Sequence, residues 1–305
     1  MPPPHVSDGS ANPPRLVVYA HTWALLELPR LPRARSWTFE EAIERVVEAG
    51  FQGVQGEPER AAAVLKRGLR FAAGGRANTP AEVDALIDRS AAVGAEALTL
   101  HLGWGDESDD QIDALVAAVL NGAERRALPV YVETHRATAV QDLWRTNRLI
   151  ERIPGIRFNG DYSHYYCAGE VPYRGFAAFA GQLGPVLERT CFLHGRVSNG
   201  QCMQVSIDDG EHAGHLEHFK TLWRSAMARW VRAARPGDLL PFVPELGPPS
   251  SGYAITWPDS AGRRQEPSDR WAEMLRLKGI AEDLFLEVAG DPPGPRDVPD
   301  VHSAQ

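Results

Sequence analysis

Residues 128–136 read Leu-Pro-Val-Tyr-Val-Glu-Thr-His-Arg, and residues 156–164 read Ile-Arg-Phe-Asn-Gly-Asp-Tyr-Ser-His. Each is a short apolar run that ends abruptly in side chains able to hold a metal. Pro129–Val132 delivers Glu133 and His135, and Ile156–Phe158 delivers Asp161 and His164. Between them Val140, Leu143, Trp144, Leu149, Ile150 and Ile153 recur at roughly helical spacing, which predicts a helix over 140–152. The unit is strand, helix, strand, with polar groups gathered at the carboxyl ends of both strands. In parallel α/β folds, ligands and catalytic groups sit at those ends.

The rest of the chain repeats the pattern. Upstream, Leu16–Ala20 is a β-rich run closing in His21, Thr22 and Trp23. Thr38 and Glu41 have capping-box spacing at the head of a helix. A second strand ends near Gln55 and Glu57, and a third covers Leu69–Ala73. Thr79-Pro80 starts a helix running to about Val93, a fourth strand carries His101, and Asp109–Arg126 is an amphipathic helix. Downstream, Gly175–Leu187 is a helix and Thr190–Arg196 a seventh strand bearing His194 and Arg196. Gly214–Ala234 is a long helix. An eighth strand, from Leu239, reaches Glu245 despite prolines that suit a central strand poorly. Asp269–Val288 closes the chain. Strands alternating with helices, with no linker of domain-boundary length, predict a single α/β (β/α)8 TIM barrel over residues 15–290. The 305 residues suffice for such a barrel, which needs about 250. Neither GxGxxG after the first strand nor GxxxxGK[ST] is present, which weighs against nucleotide folds.

Composition narrows the partners. A formal charge of −8 disfavours nucleic acid and anionic membrane, since phosphate binding wants a basic surface. No apolar stretch reaches the ~20 residues of a membrane span. Cys167, Cys191 and Cys202 form no CxxC pair, consistent with reduced thiols in a cytoplasm. The proline-rich opening, residues 1–14, has no signal-peptide pattern and reads as a disordered leader. Residues 291–305, with four prolines, read as a disordered tail.

Glu133, Asp161, His194 and Glu245 close four successive strands, five to eight. In a barrel those ends converge on one mouth, and three carboxylates with one imidazole suit a single divalent cation: Mn²⁺ foremost, with Mg²⁺, Co²⁺ or Zn²⁺ as alternatives. Such an ion would act as a Lewis acid on vicinal oxygens and stabilise an enediolate formed by proton loss alpha to a carbonyl. A carboxylate on one face can take the proton and one on the other return it. His101 and His135 either line the pocket or hydrogen-bond to the ligands. Trp23 either stacks on a sugar face or packs against its neighbours. His212, His215 and His218 lack the HExxH arrangement and read as a solvated helix start. Cys167, with no base partner, reads as a small buried residue, and Tyr165 and Tyr166 as lining the mouth or packing above it.

Glu133-Thr-His-Arg, Asp161-Tyr-Ser-His, His194-Gly-Arg-Val with Gln204-Val downstream, and Pro244-Glu-Leu-Gly-Pro-Pro together resemble the sugar phosphate isomerase/epimerase group of the xylose-isomerase-like TIM-barrel superfamily. The likeness is close over strands five to eight and loose over the first four. It implies one metal held by Glu133, Asp161, His194 and Glu245, with Glu133 and Glu245 doubling as acid and base. It further implies that His164 and Arg196 contact substrate oxygens, beside the candidates His101, His135 and Trp23. The expected activity is isomerisation or epimerisation of a sugar, keto-sugar or related polyol; a lyase or dehydratase acting by β-elimination on a keto-sugar or keto-glycoside is the alternative. Two departures, Tyr165 in place of a tryptophan and the Ser198–Met203 segment, fall where substrate would be chosen. The partner is a small carbohydrate-like molecule, and a homo-oligomer is left open. No Arg/Lys cluster at a strand end suggests a phosphate clamp, so a non-phosphorylated substrate is favoured.

Overall fold

A computed structural model describes residues 5–28, 36–208 and 210–290. The strands of its main sheet are β1 (Val6–Ser7), β2 (Arg15–His21), β3 (Gly53–Gly56), β4 (Arg70–Ala77), β5 (Ala97–Leu102), β6 (Val130–Glu133), β7 (Phe158–Gly160), β8 (Thr190–His194) and β9 (Asp238–Val243), and a separate antiparallel pair joins β10 (Trp257–Pro258) to β11 (Arg264–Gln265). The helices are α1 (Phe39–Glu48), α2 (Ala61–Leu65), α3 (Pro80–Ala92), α4 (Asp109–Arg126), α5 (Leu143–Arg152), α6 (Tyr162–Ala168), α7 (Val171–Arg174), α8 (Phe176–Leu187), α9 (Ala213–Ala233) and α10 (Arg270–Gly290). Strands β2 to β9 are parallel, each bonded to the next, and β9 returns to β2, so the eight form a closed ring. This is the (β/α)8 barrel that the sequence predicts.

Local chemistry fixes the element ends. Thr38 and Glu41 form the full capping box of α1, and Ser108 with Gln111 does the same for α4. Either cap is worth about 1 kcal/mol. Asp142 caps α5 through the Arg145 amide, so residues 140–142, expected to be helical, are loop. On α5 the buried stripe is Thr146, Leu149 and Ile150, whereas Trp144 lies in solvent at 71% exposure.

Tyr19, Tyr131 and Phe192 stand on β2, β6 and β8, strands that are not neighbours, yet their rings meet at 6.0–6.4 Å. They fill the barrel interior and form a dry floor beneath the strand ends. Outside the strands, helices bury a second layer typified by Trp223 of α9 against Phe242 of β9. Burying each such large side chain contributes about 1.5–3 kcal/mol.

One expectation changes. Residues 5–14 are ordered rather than a disordered leader: Val6 is buried and pairs antiparallel with Leu239, as Ser7 does with Asp238. Strand β8 pairs with β9 only at Phe242 and Val243, so β1 covers the lower edge of β9 that β8 leaves open. Pro241 sits between those two pairings, which explains how a residue without an N–H is accommodated inside the ring. Residues 1–4 and the expected tail, 291–305, lie outside the described residues. Among the described residues no helix is long and apolar enough to cross a membrane.

Candidate metal centre and cavity

Glu133 ends β6, Asp161 follows β7, His194 ends β8 and Glu245 follows β9. All four are buried, and each presents a ligand atom within 4.8 Å of those of the others. Glu133 Oε1 lies 3.0 Å from His101 Nε2, and its Oε2 accepts from Asn159 Nδ2 at 3.2 Å. Asp161 caps the short helix α6, its Oδ1 accepting from the Ser163 amide and hydroxyl at 3.0 and 2.5 Å. That commits one carboxylate oxygen and turns Oδ2 toward the cluster, where it has no aligned hydrogen bond.

His194 is oriented by a relay. Gln55 Nε2 donates to Thr99 Oγ1 at 2.7 Å, which turns Gln55 Oε1 toward His194 Nε2 at 2.9 Å. With a proton on Nε2 donated to that oxygen, Nδ1 is left facing the carboxylates, 2.9 Å from Glu245 Oε2 and 3.7 Å from Glu133 Oε2; the amide nitrogen of Asn159 competes for the same Nε2. Asn159 Nδ2 flanks the same imidazole at 2.9 Å.

Three carboxylates in a dry site need countercharge, and side chains supply it. Arg196, 1% exposed, pairs through Nη2 with Asp161 Oδ2 at 3.1 Å and with Glu245 Oε2. Burial works against ionisation of Glu133, but His101 and then His194 overcome it and hold its carboxyl at about 2. Burial likewise opposes Asp161 and Glu245; Arg196 and His164 hold the first below the carboxylate range, and His194 and Arg196 the second. Against its own burial, His194 is pushed up to about 9 by Glu245 and Glu133. The centre is thus a set of anions held by one guanidinium and one imidazolium, the state a divalent cation would relieve by replacing the proton. Asp161 Oδ2, His194 Nδ1 and Arg196 Nε and Nη1 are buried without aligned partners. Buried polar atoms of that kind call for a further partner, and the donor set fits a hard to borderline cation.

Above the centre opens a cavity of about 280 Å³, lined among others by Trp23, Arg76, His101, His135, Arg196 and Tyr253. Trp23 is both liner and packing partner, its ring edge-on to Tyr253 at 5.4 Å. His135 donates or accepts with Tyr253 Oη at 3.0 Å, and burial pushes it down to about 3, so it is neutral. His101, Glu133 and His135 form a second group whose ligand atoms lie within 4.8 Å of one another.

His164 differs from expectation. Its ring is buried beneath His135, with centroids 3.8 Å apart, and its Nε2 lies 3.4 Å from Asp161 Oδ2. It abuts a candidate ligand and is not among the residues lining the cavity. Arg196 does line the cavity, yet its firmest partners are two of the candidate ligands. Tyr165 and Tyr166 are buried in packing away from the mouth, and Cys167 is half exposed rather than buried. His215 and His218 are not simply solvated; both place Nδ1 on the Tyr166 hydroxyl, at 2.9 and 2.8 Å. Gln55, Thr99, Asn159, Tyr253 and Arg76 were not singled out from sequence. Arg76 is a single cation near the end of β4 that faces the cavity, not an Arg/Lys cluster.

No protein-family model matches this sequence, and no curated protein matches it. Solved structures do. The chain resembles a D-tagatose 3-epimerase-like protein with a TM-score of 0.53 at 11% identity, over 90% of this chain and 99% of the other. It resembles a xylose isomerase-like TIM barrel protein from Mycobacterium smegmatis, solved in complex with magnesium, with a TM-score of 0.54 at 10% identity, over 88% and 98%. A xylose isomerase domain protein from Planctomyces limnophilus gives 0.51 at 15% identity, over 92% and 99%. At such identities the likeness is one of fold alone, the (β/α)8 barrel described above.

Proposed function

We propose that this xylose isomerase-like barrel is a divalent-metal-dependent isomerase or epimerase of a sugar, keto-sugar or related polyol. One observation carries the proposal: Glu133, Asp161, His194 and Glu245, buried at the ends of four consecutive strands, offer ligand atoms within 4.8 Å of one another at the floor of an open cavity. They would hold the ion, with Mn²⁺ first in expectation; the magnesium in the Mycobacterium smegmatis relative supports a hard divalent cation. A cation so held supplies Lewis acidity to a carbonyl and its neighbouring hydroxyl.

The chain's own groups do the rest. Glu133 and Glu245 arise from β6 and from the end of β9, on different sides of the ring, so one can take a proton from carbon and the other return one. His101, 3.0 Å from Glu133 Oε1, steadies that carboxylate and can relay its proton toward the cavity. Arg196 keeps positive charge beside Asp161 and Glu245 as negative charge builds on substrate oxygen. Tyr131, Phe192 and Tyr19 exclude water from below.

The test is incubation of the purified protein with Mn²⁺ and a panel of ketoses, aldoses and keto-sugars in D₂O, read by NMR. Deuterium entering the carbon alpha to the carbonyl, with a changed isomer or epimer, supports the proposal. Release of water or of a β-substituent would make the protein a lyase on the same site. No exchange with any substrate, in protein shown to hold metal, would overturn the catalytic reading.

A further inference from the structure

Arg76 takes no part in the metal centre, yet it faces the same cavity. It stands near the end of β4, in register with His101 of β5, and His101 in turn touches Glu133. Its only hydrogen bonds among the described residues run from Nη1 to the carbonyls of Gly103 and Ala137, at 2.5 and 3.1 Å. Its guanidinium lies over the Trp104 ring, 4.0 Å from the centroid. Nε and Nη2 therefore keep an edge of two donors without a protein acceptor.

Nearby carboxylates are otherwise engaged. Glu133 is bound by His101 and Asn159. Glu107 accepts from the amides of Trp104 and Gly105 at 2.6 and 2.8 Å. A half-buried guanidinium that feels Glu133 and Glu107 but makes a direct ion pair with neither carries a desolvation cost that a bound anion would relieve. Stacking on Trp104 and two carbonyl contacts hold it still, so little side-chain freedom is lost when its free edge is used.

The surroundings give the site direction. Beside Arg76 the wall is bare backbone at Gly74, where a Cβ would stand 3.6 Å from Gln55 Nε2 and Thr99 Oγ1. Arg136, exposed, adds charge behind the cavity wall, 4.8 Å from the Tyr253 ring centroid. The carboxylate of Glu57, also lining the cavity, holds among the described residues only a 3.3 Å contact from the Thr22 hydroxyl. It follows β3, so a negative group is repelled from that side toward β4 and β5.

We propose that Arg76 seats an anionic end group of the substrate, a carboxylate or a phosphate monoester, while the polyol portion reaches down to Glu133 and Glu245. The polyol end of this assignment rests on the function proposed above; the anion seat rests on the surroundings of Arg76 alone. The substrate class is accordingly a sugar acid or sugar phosphate rather than a neutral sugar.

Three probes with one six-carbon polyol chain separate the cases: glucitol, gluconate and glucitol 6-phosphate. Each is titrated calorimetrically into the full chain with Mg²⁺, and into Arg76→Ala and Arg76→Lys, with metal content measured on the same samples. At least one anionic probe is expected to bind about tenfold or more tightly than glucitol. That advantage should vanish in Arg76→Ala and return in part in Arg76→Lys. A lead for gluconate identifies a carboxylate, and a lead for glucitol 6-phosphate a phosphate ester. Equal binding of all three probes, an anion preference that survives Arg76→Ala, or no binding by any probe overturns the assignment. Retained metal in those samples would leave the metalloenzyme proposal standing; absent metal with an Arg76-dependent anion preference would do the reverse.

Discussion

Replacing Arg196 by methionine separates the countercharge role of this side chain from a role in holding metal. Arg196 is fully enclosed between Asp161 and Glu245, both themselves buried. Truncating one partner of a buried ion pair costs about 3–5 kcal/mol, because the remaining charge is left in a dry environment. At about 2 °C per kcal/mol for a chain of this size, the metal-free protein should melt about 6–10 °C lower. With a saturating divalent cation the outcome should differ in kind. The ion takes over the countercharge, so the loss of melting temperature should shrink by at least half. Removal of a positive charge within about 6 Å of a divalent ion should also raise its affinity, by several kcal/mol at an effective dielectric of 20 before relaxation. The assay is thermal unfolding with EDTA and with Mn²⁺, beside a chelator competition for affinity. An equal fall in both conditions, or weaker metal binding in the variant, would refute the reasoning.

Conservative changes at the two glutamates should strike turnover most directly. Glu133→Gln and Glu245→Gln should each slow solvent-deuterium exchange about 10²–10⁴-fold; a variant keeping half the rate would have no part in proton transfer. His194, pushed up to about 9, must lose its proton when a cation binds. Apparent metal affinity should therefore climb about tenfold per pH unit from neutral pH and level off near pH 9, and a flat profile between pH 7 and 9 would contradict the assigned ligand. The same raised value means that charged His194 stabilises the metal-free fold fully below about 6.5 and loses that contribution as pH rises through about 9, measurable as a falling melting temperature in EDTA. Gln55→Leu, which removes the acceptor that orients His194, should weaken metal binding about 10- to 100-fold with the fold intact; unchanged affinity would show that the relay from Thr99 is dispensable.

The four strand ends at 133, 161, 194 and 245 were legible in the sequence because a charged side chain closing an apolar run is costly unless it has a partner. The longer helices were legible from capping pairs and periodicity, whereas the short α6 and α7 were not. Arg76 was missed because the Gly74-Gly75 pair looked like the end of a strand, as glycine weakens strand interiors. Here β4 runs on through both glycines and carries Arg76 to the cavity. Gln55, Thr99 and Asn159 are uncharged and sit inside short strands, where nothing in the local pattern separates a ligand-orienting amide from an ordinary polar residue. Tyr253 lies in an irregular loop beyond β9, so only the tertiary fold brings its ring to His135. The ordered start of the chain was hidden by its prolines, which argue for disorder by composition while a two-residue pairing and one buried valine decide otherwise. His164 shows the reverse error. Its position after Asp161 marked it for substrate, but three residues along a helix turn it beneath His135 instead of into the open.

The seam of the ring joins the two ends of the chain: Ser7 Oγ donates to the carbonyl of Gly237 across 230 positions, and β9 fits between β2 and β8. During synthesis the strands from β2 to β8 emerge as an arc with two raw margins, and the piece that unites them is the last of the eight barrel strands to leave the ribosome. Until then Val6 and the inner face of β2 have no cover, and bare strand margins invite pairing with other chains. Closure over so long a separation is also slow. The vulnerable interval of this protein's life is thus its birth, and its yield should respond to translation speed and holdase supply more than to any change made at the mouth of the finished barrel.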